Sequence, residues 1–294
     1  MTKPITKDVV VFYHGLCRDG FTAAWAAWKK FGDSADYVPV IWTNQSEQIP
    51  AIKNKEIYFL DYCPSQEKLN QIVEENKSVC VIDHHVSRET VTKSLPGSVY
   101  DISHSGAVLA WNYFHPNVSL PQLCRYVEDS DLWKWEIAGS AEVLQGIDDI
   151  LEEKEGFQTW EEVMQQMETE SGRDKYSQIG KLIIRNETNL MDQIVEQNLQ
   201  LVEFEGFQVY AVNAPRHFRS VLGNRLVEMK PPFGIVWSYL TDEITVSLRA
   251  KPNTFNLIPL VEKYGGGGHE GASNFRLPLG TPLPWKVIKQ NNEK

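Results

Sequence analysis

The 294-residue chain has no apolar run near the roughly 20 residues needed to cross a bilayer. Its start, Met1 to Lys7, has no apolar core of the kind that leads a secreted chain, so neither a signal peptide nor a membrane partner is expected. Cysteine is scarce. Cys17, Cys63, Cys80 and Cys124 are scattered with no paired spacing, which excludes a disulfide framework and a thiolate zinc motif and points to a reducing, cytoplasmic compartment. Positive charge is also short: 29 Lys and Arg stand against 39 Asp and Glu, for a net charge of -10. A duplex-DNA binder needs a basic face, so that class is excluded. A small anionic substrate is not, because metal ions and a few arginines supply positive charge locally. The chain has no internal repeat and no low-complexity tract. What remains is ordinary globular composition, 42% hydrophobic and 23% charged, in a chain long enough for two domains.

Three short apolar runs end in metal-ligating side chains. Val79, Val81 and Ile82 read as a buried strand that closes on Asp83-His84-His85. Val9 to Tyr13 ends in His14, with Asp19 five residues on, and Ile57 to Leu60 ends in Asp61. Open α/β sheets bind ligands at the carboxyl ends of their strands. If these three strands run parallel, imidazoles and carboxylates converge in one crevice. Such a donor set, without a thiolate pair, suits Mn²⁺ or Mg²⁺ better than structural zinc. With a carboxylate shared between two ions, one ion activates water while the other holds a phosphoryl oxygen, so hydrolysis of a phosphate ester is the expected chemistry.

Residues 8–135 alternate strands and helices, which predicts a mainly parallel sheet covered on both faces. A helix near 20–31 carries Phe21, Trp25 and Trp28 on one face, read as core. A strand is predicted over Tyr37–Trp42, a helix over 65–76 capped by Ser65, and helices near 105–115 and 120–128. His104 begins the first of these last two, whose N-terminus is a place for a phosphate. From about 141 to 200 only helical spacing is visible, read as a connector. Strand patterns return at Phe207–Val212, Gly234–Leu240 and Ile244–Leu248, the last two as a hairpin. The expected organisation is therefore an α/β chain: a parallel-sheet metal-binding domain over 1–140, a helical connector over 141–199 and a smaller α/β substrate-binding domain over 200–294. The last carries Gly265, Gly266, Gly267, Gly268 and His269, where bare backbone N–H groups approach an anion, with Arg249 at the end of a nearby strand.

Together these residues resemble the DHH/DHHA1 phosphoesterases, which include single-strand exonucleases, nano-RNases, adenosine-bisphosphate phosphatases and cyclic-dinucleotide phosphodiesterases. Asp19-Gly20-Phe21-Thr22-Ala23 is similar to the family's first motif, Asp61 to the second, Asp83-His84-His85 to the third and Glu128-Asp129-Ser130-Asp131 to the fourth. Gly265 to His269 is similar to the glycine signature of its small domain. The resemblance implies one ion on His14 and Asp61 and another on Asp19, Asp61, His84 and Asp129, with Asp131 competing for the last place. It implies that Asp83 orients an imidazole, that His85 contacts phosphate or assists proton transfer, and that Arg249 and Gly266 to His269 hold the remote part of the substrate.

The chain departs from the family at Cys17, where the first of two aspartates usually stands. One hard oxygen ligand is lost, so one or two ions are expected. The activity implied is metal-dependent hydrolysis of phosphodiester or phosphomonoester bonds in nucleotides or short single-stranded oligonucleotides. The alternatives are a small-molecule phosphatase or polyphosphatase, and a catalytically weak nucleotide-binding protein.

Overall fold

The structure is a computed structural model and describes residues 4–15, 17–43, 46–47, 49–153, 156–251 and 253–290. The chain divides into two compact units, Met1–Ile184 and Arg185–Lys294.

The first unit begins with β1 (Val9–His14), α1 (Arg18–Phe31) and β2 (Ala35–Val40). A two-residue antiparallel pair follows, β3 (Trp42–Thr43) with β4 (Ser46–Glu47). Then come β5 (Glu56–Leu60), α2 (Gln66–Glu75), β6 (Ser78–Asp83), α3 (Glu89–Ser94) and β7 (Val99–Tyr100). Ser65 caps α2, its hydroxyl accepting from Lys68 N. Five strands form one parallel sheet in the order β2-β1-β5-β6-β7. Alternation along β1 sends Val10 and Phe12 to one core and Val11 and Tyr13 to the other, so both faces are covered. The strand order reverses direction between β1 and β5, which makes their carboxyl ends the switch point where open sheets bind ligands.

Helices α4 (Gly106–Phe114), α5 (Gln122–Asp131), α6 (Ser140–Glu153) and α7 (Phe157–Met167) follow, and α8 (Glu170–Asn198) leads into the second unit. The aromatic face of α1 is core, as expected: Trp25 stacks on Trp111 of α4 with ring centroids 5.3 Å apart. The stretch read as a connector does more than bridge. Val143, Leu144, Ile147, Trp160, Met164 and Tyr176 all enter the first unit's core.

The second unit carries β8 (Gln200–Phe204), β9 (Phe207–Asn213), α9 (Arg219–Met229), β10 (Phe233–Tyr239), β11 (Glu243–Ala250), α10 (Ile258–Glu262), β12 (Gly267–His269), β13 (Ala272–Pro278) and β14 (Lys286–Gln290). These strands form one sheet in the order β12-β13-β11-β10-β9-β8-β14, with only β9 and β10 parallel among its pairs. The predicted β10–β11 hairpin is present, with Trp237 opposite Val246 and Leu240 N donating to Glu243 O. One sheet face packs around Phe204, Phe233 and Phe275; α9 and Met191 and Val195 of α8 cover the other.

Candidate functional site

Three adjacent parallel strands deliver the cluster. His14 is the last residue of β1, Asp61 follows β5, and Asp83 ends β6, with His84 and His85 immediately beyond. Asp61 turns the chain there with φ of 52°, a left-handed backbone that Asp tolerates better than most residues. Its carboxylate lies between two imidazoles: Oδ2 is 3.3 Å from His14 Nδ1 and Oδ1 is 3.1 Å from His84 Nε2.

Asp19 arrives from the first turn of α1 and is buried. Gly106 N and Ala107 N, the first amides of α4, donate to its two oxygens at 2.7 and 2.9 Å. A carboxylate suits that helix N-terminus. Close approach needs two glycines. A Cβ on Gly20 would fall 2.2 Å from His14 O, and one on Gly106 would fall 2.5 Å from Asp61 Cβ. Asp19 Oδ2 then lies 3.7 Å from His84 Nε2.

Asp129 and Asp131, the two residues open for the same place, make different contacts. The Asp129 carboxylate accepts from Glu136 N at 2.7 Å, from Ile137 N and from Ser140 Oγ at 2.6 Å. Asp131 Oδ2 stands 3.5 Å from His84 Nε2. His85 Nδ1 is 2.7 Å from Asp83 Oδ1. His104 Nδ1 pairs with Glu128 Oε2 at 2.9 Å, and that same oxygen accepts from Ser105 N. At the start of α4, where the sequence offers a place for a phosphate, Ser105 N thus donates to Glu128 and Gly106 N and Ala107 N donate to Asp19.

Three carboxylates share this small space, and the charges respond. Burial, then the nearby charges of Asp61 and Asp131, push Asp19 well above the usual carboxylate range. Burial and Asp61 likewise raise Asp131. For Asp61 burial acts upward, but hydrogen bonds from His14 and His84 prevail and hold it at about 2. His14 is pushed up to about 10, first by its hydrogen bond with Asp61 and then by one with Cys17. His84 reaches about 9, because the bond with Asp61 and the surrounding carboxylates overcome burial. Two sets of ligand atoms fit a cation, each set lying within 4.8 Å: His14, Asp61 and His85, and Asp19, Asp61 and His84. Asp61 belongs to both. A divalent ion in each set would replace the protons that now offset the crowded carboxylates.

The second unit gathers its own predicted residues. Across β12, β13 and β11, His269 pairs with Ala272 and Ala272 with Arg249, so the ladder puts all three in one row. The Arg249 guanidinium donates to Ser220 Oγ of α9 at 2.9 Å and to Leu248 O at 3.0 Å. Burial and the neighbouring Arg219 lower its proton affinity; burial and Arg216 do the same to Arg219. The glycine run is partly structural: Gly267 and Gly268 lie in the edge strand, and a Cβ on Gly266 or Gly268 would strike β13. Arg216 and Arg219 carried no sequence signal, being two cations among 29.

No family model matches the chain. It is 27% identical over 289 residues to the uncharacterized protein R106 of Acanthamoeba polyphaga mimivirus; the match covers 90% of this chain and 66% of that protein. The chain thus spans a little under two thirds of this relative's length. Among solved structures, it shares the fold of an exopolyphosphatase-related protein from Bacteroides fragilis, with a TM-score of 0.58 and 16% identity over 95% of this chain and 88% of that one. It likewise shares the fold of the pGpG-specific phosphodiesterase PggH from Vibrio cholerae, with a TM-score of 0.55 and 13% identity over 93% and 94%. Fold and site together define an α/β protein with a histidine–aspartate cluster able to hold metal at the carboxyl edge of its parallel sheet.

Proposed function

We propose that this chain is a metal-dependent phosphohydrolase that cleaves phosphodiester or phosphomonoester bonds in nucleotides or short single-stranded oligonucleotides. The observation that carries the reading is Asp61, common to two sets of ligand atoms at the switch point of a parallel sheet. The fold shared with a pGpG-specific phosphodiesterase supports it.

In this reading His14, Asp61 and His85 face one ion, and Asp19, Asp61 and His84 face the other, with Asp131 beside them in place of Asp129. The carboxylate–imidazole donor set favours Mn²⁺, with Mg²⁺ as the alternative. When bound, the ions supply Lewis acidity toward a phosphoryl oxygen and lower the pKa of water. The chain's own groups do the rest. Asp83 accepts from His85 Nδ1 and so fixes the ring's tautomer and orientation. The amides of Gly106 and Ala107 hold Asp19 in place. Before an ion displaces their protons, His84 and His14 hold the two oxygens of Asp61. Arg249 and His269 are assigned to substrate, as a cation and a donor in one row of the second sheet.

A panel of bis-p-nitrophenyl phosphate, dinucleotides, adenosine bisphosphate and polyphosphate, each run with Mn²⁺, Mg²⁺ and chelator, tests the proposal. Hydrolysis of none of them, or undiminished hydrolysis in chelator, refutes it. The shared fold with an exopolyphosphatase-related protein favours polyphosphate as the second reading, and the same panel separates the two.

A further inference from the structure

Two tryptophans stand in water just past α5. Trp133 is 62% exposed and Trp135 is 39% exposed, and their rings meet edge to face with centroids 5.3 Å apart. Both have left-handed backbones, with φ of 56° and 52°. Indoles are costly to leave in water, and a bulky side chain is costly at positive φ. A fold that keeps both costs in one segment must enforce them, and such strain gathers at functional sites.

Asp129 does the enforcing. Its backbone carbonyl accepts from Lys134 N at 2.8 Å and from Trp135 N at 3.2 Å, while its buried carboxylate takes Glu136 N, Ile137 N and Ser140 Oγ. Trp133 N donates to Ser130 O. Lys134, between the two tryptophans in sequence, reaches Glu128, which also holds His104 and the start of α4. The segment is therefore tied through Glu128 to the start of α4, whose next amides hold Asp19. Trp133 lies two residues from Asp131, whose carboxylate is 3.5 Å from His84.

We propose that Trp133 and Trp135 form a stacking platform for the nucleobase of a nucleotide whose phosphate lies at the cluster. This rests on the phosphohydrolase reading and deepens it by naming the residues that would hold the base. An indole face stacks on any base, so the platform is tolerant of sequence.

The test is equilibrium binding of adenosine 5′-monophosphate against ribose 5-phosphate, which share sugar and phosphate and differ by the base. It is run by calorimetry in Mn²⁺ and again in chelator. The wild-type protein should bind the nucleotide at least ten-fold more tightly. Trp133→Gly and Trp135→Gly remove a ring while accepting the backbone, so each should keep its melting temperature and lose about 5- to 100-fold in nucleotide affinity, with ribose 5-phosphate unchanged. Equal affinity of the wild type for the two ligands overturns the inference. So does a fall in melting temperature with the base preference intact, which assigns the rings a structural part. A concentration-dependent dimer that either variant abolishes, without base preference, also overturns it in favour of a second copy of the chain. Turnover is not needed for this reading of the platform. Base-dependent binding by a protein that cleaves no phosphate ester refutes the proposed activity and keeps the platform, whereas cleavage without base preference does the reverse.

Discussion

Gly106 approaches Asp61 so closely that a methyl group on it would fall 2.5 Å from the aspartate's Cβ. The same methyl would meet Asp19 Oδ2 at 2.9 Å. Gly106→Ala should therefore push α4 off the sheet edge and part the two carboxylates. We expect a stability loss of about 1–3 kcal/mol from overpacking, with metal content and turnover falling further than stability does. Plasma-emission metal analysis beside a thermal melt checks this; a variant that binds metal normally contradicts the geometry.

Asp61, Asp129 and Asp131 should separate by phenotype. Asp61→Asn keeps a side chain that tolerates positive φ and removes the shared charge, so it should lose bound metal and turnover while folding. Asp131→Asn should weaken metal binding with little change in melting temperature. Asp129→Asn disturbs the acceptor of Glu136 N, Ile137 N and Ser140 Oγ, and should lower stability by about 1–3 kcal/mol with metal affinity largely kept. Cys17→Ala should cost less activity than Asp61→Asn. Metal loss in Asp129→Asn with none in Asp131→Asn would reverse the assignment.

Without metal, pH should act through the imidazoles. His14 and His84 are raised to about 10 and about 9, against about 6.5 in an unfolded chain. A group raised on folding stabilises fully below its unfolded pKa, and that stability is lost as pH rises through the folded value. The melting temperature in chelator should thus decline as pH rises, first through the raised carboxyls of Asp19 and Asp131 above about pH 4 and then, above about pH 6.5, through the two imidazoles. Asp61 works the other way, but only as pH falls below about 4 toward its value of about 2. Metal affinity should rise over the same alkaline range, about ten-fold per pH unit for each proton displaced. Melting curves in chelator from pH 5 to 10 decide it; a rise between pH 7 and 9 rules it out.

Arg249→Ala and His269→Ala should raise KM for a nucleotide substrate while leaving metal content alone, since every proposed ligand belongs to the first unit. A charge-assisted contact to phosphate contributes about 1.5–3 kcal/mol, so the rise should be about ten-fold or more. A small generic ester serves as control and should be cleaved almost normally by both variants. Equal losses on both substrates, or loss of metal, would count against this assignment.

The sheet edge was legible because β1, β5 and β6 are apolar runs with abrupt polar ends, and a parallel order follows from the helices between them. The choice between Asp129 and Asp131 was not. Two residues apart on a helix means about 200° of rotation, and spacing alone does not say which face of α5 meets the sheet. β7 is two residues long and takes its pairing from β6, so it has no pattern of its own. Trp133 and Trp135 carried no signal of their own, because composition does not encode φ. The helical stretch after 141 looked like a spacer since its apolar positions are sparse, yet Trp160, Met164 and Tyr176 are deeply buried.

Position 61 is screened twice over, once by charge and once by chain geometry. Glycine accepts the backbone there but brings no carboxylate; glutamate brings the carboxylate but is ill suited to φ of 52° and places its oxygens one carbon further out. Asparagine passes the backbone screen and fails the charge one. No single replacement satisfies both, so a cluster that needs the shared carboxylate at this turn leaves aspartate as the residue that meets both demands.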